Sequence, residues 1–247
     1  MKNKYILITL IALATIVTGC MNEEIEGLTN PNKATSETNS VITLTTDRKD
    51  GIVSLSIDAP ENKRPQLWID LNGDGLRAED GSEEINVFNA YQEYRHVSGL
   101  KTVSIYGDVT YLAAASNELT AIDISGNLYL TTLNVPLNKL PELDVSKNSA
   151  LKRLDCSQND ITTLDISENS ALVSLWSFSN KLSQLNLSNN PDLAFLDCSG
   201  NLLSSLDVSK NKELVRLIAF NNQLSSLDIS YNDKLNRLWL FGNPLSV

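Results

Sequence analysis

At 247 residues the chain has room for one long or two short domains, and a 42% hydrophobic content suits a folded protein. Thirty Asp and Glu against twenty Lys and Arg leave a net charge of −10, which argues against a nucleic-acid partner, because phosphate binding needs a basic surface. One histidine, His96, and no Gly-rich phosphate loop leave little from which to build catalysis, so the chain is read as a non-enzyme.

The first residues read as an address. Lys2 and Lys4 precede an apolar stretch, Tyr5 to Val17, that is too short and wrongly flanked for a membrane span. It ends in Val17-Thr18-Gly19-Cys20, which resembles the lipobox of bacterial lipoproteins. That resemblance implies a signal peptide over 1–19 and a lipid on Cys20; the alternative is an ordinary secretory signal in which Cys20 is incidental. A multi-chain lipid holds a protein on a bilayer durably, so the anchor would be its only membrane contact. Residues 20–40 are polar, cannot bury a core, and read as a tether. Their acidic start, Asn22-Glu23-Glu24-Ile25-Glu26, resembles the surface-export signal of Bacteroidetes lipoproteins, which implies an outer-membrane protein facing outward.

Residues 41–108 predict a small β domain. The runs 41–45, 52–57, 66–69, 85–88 and 102–106 are strand-like, and Lys49-Asp50-Gly51, Ala59-Pro60-Glu61 and Asn72-Gly73-Asp74-Gly75 separate them as turns. Such a sheet is expected to cover the open N-terminal end of a repeat array that begins at residue 109. Within it Asp70, Asn72 and Asp74 alternate ahead of Gly75 in the D-x-N-x-D-G pattern of calcium loops. The twelfth loop position is Gly81, so a structural Ca2+ would need Glu83 or Glu84 to complete its ligands. The competing reading is a metal-free turn closed by Asx hydrogen bonds.

From residue 109 to 247 the sequence repeats. Asn117, Asn138, Asn159, Asn180, Asn201, Asn222 and Asn243 stand 21 residues apart, as do Leu112, Leu133, Leu154, Leu175, Leu196, Leu217 and Leu238. A second ladder, Asn127 to Asn232, keeps the same period. One unit reads Leu151-x-x-Leu154-Asp155-Cys156-Ser157-x-Asn159-x-Ile161, which matches the leucine-rich-repeat signature. The short units resemble the internalin-like repeats of extracellular bacterial proteins. The resemblance implies a mainly β, right-handed leucine-rich-repeat solenoid of about seven units with little or no helix, its Leu and Ile stacked into one core. Cys156 and Cys198 fall on an inward position two coils apart, about 10 Å, beyond disulfide reach. They are expected to be buried thiols. The convex series Asp123, Asp144, Asp165, Asp207 and Asp228 is expected to bond to the Ser two residues on rather than to metal.

Strand alternation exposes the concave positions to reading. Trp176, Phe178, Phe195, Ile218, Phe220, Trp239 and Phe241, with Arg216 and Arg237, concentrate in the C-terminal units. Aromatics and Arg are the residues of binding hot spots, and the expectation is one contiguous patch that binds a protein. Glycan binding is the alternative, and self-association through the C-terminal repeats a further one. The sequence therefore reads as a lipid-anchored binding or adhesion module on the cell surface.

Overall fold

The computed structural model describes residues 40–246; the leader 1–19, Cys20 and the tether as far as residue 39 lie outside the described residues. Alternation of β-branched and polar residues makes the first strands, β1 (Val41–Thr46) and β2 (Ile52–Asp58), with Ile42, Leu44, Val53, Leu55 and Ile57 in the core. A single turn of 3-10 helix, Arg64–Gln66, leads into β3 (Trp68–Asp70). Then come β4 (Gln92–Arg95), β5 (Thr102–Tyr106), β6 (Tyr111–Ala113) and β7 (Leu119–Asp123). The remaining strands are three residues each: β8 (Thr132–Asn134), β9 (Arg153–Asp155), β10 (Ser174–Trp176), β11 (Phe195–Asp197), β12 (Arg216–Ile218) and β13 (Arg237–Trp239).

Two sheets result. An antiparallel sheet runs β3-β5-β1-β7, and a nine-stranded sheet runs β13-β12-β11-β10-β9-β8-β6-β2-β4. From β6 to β13 the second sheet is parallel and in register, with Leu112, Leu133, Leu154, Leu175, Leu196, Leu217 and Leu238 side by side. The first six of these leucines are at most 1% exposed. Each contributes roughly 2 kcal/mol by leaving water. The convex return is built from turns, as a ten-residue segment cannot hold a helix and two turns.

Residues 41–108 and the repeats share one compact unit, Ser36–Val247, and both sheets cross between them. Strand β2 pairs antiparallel with β6, and β1 pairs with β7 on the convex side of the first coil. Asn117 shows how the first coil is closed: its amide donates to the Ser54 carbonyl at 2.8 Å and accepts from the Ser54 N–H at 2.7 Å. One strand reading fails. Ile85–Phe88 forms no strand, only a bridge of Glu84 to Trp68, and the edge strand is β4 instead. Ile85 is buried as a loop residue and Phe88 lies beneath the Arg64 guanidinium at 4.7 Å, so apolar spacing there serves packing without pairing.

The chain leaves each strand through a left-handed residue, Ser116, Leu137, Gln158, Ser179, Gly200, Asn221 or Gly242, each with φ between 52° and 70°. Glycine takes that conformation freely, whereas the side chains at the other positions do so at a cost. The ladder Asn that follows recovers it. Asn159 donates to the carbonyls of Val135, Cys156 and Ser157 at 3.0–3.1 Å and accepts from the Leu140 N–H at 3.0 Å, tying its coil to the one before. Asn180, Asn201 and Asn222 repeat the pattern.

Candidate functional site

The concave sheet places every inward Leu between two outward side chains, so β9 to β13 present Arg153 and Asp155, Ser174 and Trp176, Phe195 and Asp197, Arg216 and Ile218, Arg237 and Trp239. Just past these strands stand Phe178, Phe220 and Phe241. Exposure is concentrated at the C-terminal end: Phe195 is 37% exposed, Trp239 51% and Phe241 64%. Phe220 and Phe241 stack with ring centres 4.5 Å apart and planes 9° from parallel. Arg216 lies over the Phe195 ring at 5.9 Å.

Two expectations about this face need correction. Ile218 is 6% exposed, so it underlies the patch and does not form its surface. In register it stands between Asp197 and the larger Trp239. Nor is the patch one continuous stack. Trp176 and Phe178 are half-buried, and the coil of Asp197 and Ser199 stands between them and the C-terminal rings. Asp197 accepts from the Ser199 hydroxyl at 2.6 Å and its N–H at 3.1 Å, as Asp155 does from Ser157, which fixes a polar strip across the face. Among the described residues no ring contact joins Trp176 or Phe178 to the stack beyond that strip.

Sequence reasoning missed Tyr91. It comes from the segment before β4, outside the repeat register, and its phenol reaches the Ala115 backbone beside Tyr111 and Asp155. Burial raises its pKa first, with Tyr111 adding to the shift. Tyr91 is itself 55% exposed, so the β domain adds an open ring beside the N-terminal end of the face.

The other sequence candidates resolve into structure. Cys156 and Cys198 are free and buried; desolvation drives both thiol pKa values up, that of Cys198 to about 12, so neither is a thiolate near neutrality. The convex Asp123, Asp144, Asp165, Asp207 and Asp228 each accept the N–H of the Ser two residues on, which holds them below the usual carboxylate range.

At the D-x-N-x-D-G loop, Asp70 accepts from the N–H groups of Asn72, Gly73 and Gly75, and Asn72 and Asp74 close turns of their own. Glu83 accepts from the N–H groups of Leu71 and Ala78, and Glu84 pairs with Arg77 at 2.7 Å. Asp70, Asn72 and Asp74 are linked through the loop, the Asn72 amide donating to Asp74 at 3.0 Å, while Glu83 and Glu84 accept from other donors. Among the described residues no group of three or more His, Cys, Asp or Glu is placed to hold a metal.

Comparison with known proteins bears on the repeats. The family description LVIVD repeat matches residues 100–131, which span β5 to β7 where the β domain meets the first coil. Comparison with curated proteins gives no match. Among solved structures, the functional domain of InlJ from Listeria monocytogenes, which includes a cysteine ladder, is 37% identical. The match covers 54% of this chain and 30% of that one, with a TM-score of 0.53. The repeats are leucine-rich repeats.

A leucine-rich-repeat protein of Leptospira interrogans is 33% identical over 50% of this chain and 34% of its own, at a TM-score of 0.48. The internalin InlF of Listeria monocytogenes is 26% identical over 49% and 37%, at 0.45. The chain thus spans about a third of the length of these solved structures. Among the described residues of this leucine-rich-repeat solenoid, no helix is long and apolar enough to cross a membrane.

Proposed function

We propose that the chain is a binding or adhesion module, lipid-anchored at Cys20 on the outer surface of a bacterial outer membrane, that holds a protein partner on the C-terminal end of its concave face. The observation that carries this reading is the exposure of Phe195, Trp239 and Phe241 on the same open sheet as Arg216 and Arg237. Large rings kept in water on a rigid sheet cost solubility, and a partner that covers them recovers that cost. The likeness to InlJ, an internalin-type repeat domain, supports a binding role over a catalytic one. A protein partner is favoured over a glycan because Phe220 turns its face to Phe241 and leaves less flat platform for a sugar ring.

Photo-crosslinking from position 239 tests this reading, with exposed Glu168 on the convex side as the control position. Adducts whose mass is neither one nor two copies of the chain, formed at 239 and absent at 168, are the expected result. Adducts of twice the chain's mass would mean self-association, and equal yields at both positions would refute a concave site. The anchor is tested separately: Cys20→Ser is expected to move the protein from the membrane fraction to the soluble one.

A further inference from the structure

The concave-face reading says where a partner sits, and one cleft on that face says what it carries. Strands β11, β12 and β13 bring Phe195, Arg216 and Arg237 into one row, about 4.8 Å from each to the next. Beside them opens a cleft of about 460 Å³ lined by Phe195, Val215, Arg216, Asn236 and Arg237, with no carboxylate in its wall. Arg48, Arg64 and Arg77 each pair with an Asp or Glu. Among the described residues, no salt bridge is seen for Arg95, Arg153, Arg216 or Arg237, and of these four Arg216 and Arg237 are neighbours in register. The Arg216 Nε is buried and donates to nothing.

Acidic residues outnumber basic ones in this chain by thirty to twenty, so two neighbouring guanidiniums without a carboxylate stand out. Side by side they repel each other, and the buried Arg216 Nε lacks an acceptor. A carboxylate between them removes both costs, because each guanidinium fork matches a carboxylate's two oxygens. The surroundings are apolar: Phe195 forms one wall, and exposed Trp239 lies on the same strand as Arg237.

We propose that this cleft receives an Asp or Glu side chain of the partner protein, with an apolar or aromatic neighbour of that residue lying on Trp239 and Phe241. The inference rests on the concave-face reading and adds the partner's chemistry to it. Arg216 and Arg237 set the preference for an acidic segment, and the rings supply much of the binding energy.

The test uses the protein immobilised at low ionic strength, with a glutamate–tyrosine copolymer, a lysine–tyrosine copolymer and polygalacturonate as soluble probes. Wild type is expected to retain the glutamate–tyrosine copolymer over the other two, with affinity falling as salt is raised. The double variant Arg216→Gln/Arg237→Gln is expected to lose about tenfold or more in affinity, as is Trp239→Ala. Thermal melting confirms that both variants fold. Loss with Trp239→Ala but not with the double variant would overturn the carboxylate site and leave the concave-face reading standing. Loss with neither would contradict both. Failure of wild type to retain the glutamate–tyrosine copolymer, equal retention of the lysine copolymer, or preferred retention of polygalacturonate would also overturn the proposal.

Discussion

Replacing Asn180 by Ala removes the most densely bonded side chain of a central coil. Its amide donates to the carbonyls of Cys156 at 3.0 Å, Ser177 at 3.1 Å and Phe178 at 3.4 Å, and its oxygen accepts from the Ile161 N–H at 3.0 Å. Asn180 is 9% exposed and both Ile161 and Cys156 are buried, so water cannot reach the groups left behind. Leaving a buried donor unpaired costs about 1–3 kcal/mol, and the group orphaned here is the Ile161 N–H, since the carbonyls of Cys156, Ser177 and Phe178 keep bonds from Asn159, Asn201 and the Gln158 N–H. With the weakened bonding between coils added, the expected loss is about 2–3 kcal/mol. Asn243→Ala is the control. Asn243 makes comparable bonds, to Ala219, Leu240 and Leu224, but is half-exposed, so water substitutes and the loss should be about 1 kcal/mol. Urea unfolding followed by circular dichroism measures both. Equal losses at the two positions, or a loss under about 1 kcal/mol at Asn180, would refute the claim that the ladder holds the coils together.

Acid should weaken the fold in one direction. The convex Asp residues have lowered pKa values, held down by their Ser partners, so their contribution is present above the unfolded Asp value of about 3.9 and is lost as pH falls through the folded values. The urea midpoint is therefore expected to stay level down to about pH 4 and to drop below it; a fall that begins near pH 6 would place the titrating groups elsewhere. Cys156 and Cys198 should resist a thiol reagent at neutral pH until urea unfolds the repeats, and fast labelling of the native protein would contradict their burial. If the D-x-N-x-D-G loop works as the metal-free turn that its hydrogen bonds describe, calcium should leave the melting midpoint where a chelator leaves it. A clear rise with calcium would mean that Asp70, Asn72, Asp74, Glu83 and Glu84 regroup around an ion.

The solenoid was legible because its physics repeats. A Leu that must face inward and an Asn that must satisfy a turn recur every 21 residues, and seven occurrences leave no ambiguity of period or face. The β domain was harder to read, since each strand there occurs once. Gln92–Arg95 carries one buried side chain, Tyr94, and its edge position asks for little hydrophobic pattern, whereas Ile85–Phe88 has the pattern without the pairing. Of the concave residues, periodicity gave the side of the sheet but not the exposure. Whether Ile218 reaches the surface depends on the size of Trp239 beside it, and whether Trp176 joins Phe241 depends on Asp197 between them. Tyr91 was beyond reach because nothing in its local sequence ties it to the parallel repeat strands, the first of which begins twenty residues later.

Sedimentation of residues 21–247 over a wide concentration range, wild type beside Trp239→Ala, tests most directly whether the exposed rings await an outside partner. The account predicts that both are monomers at every concentration. A wild-type dimer that Trp239→Ala dissolves would show the face satisfied by a second copy, and would contradict it.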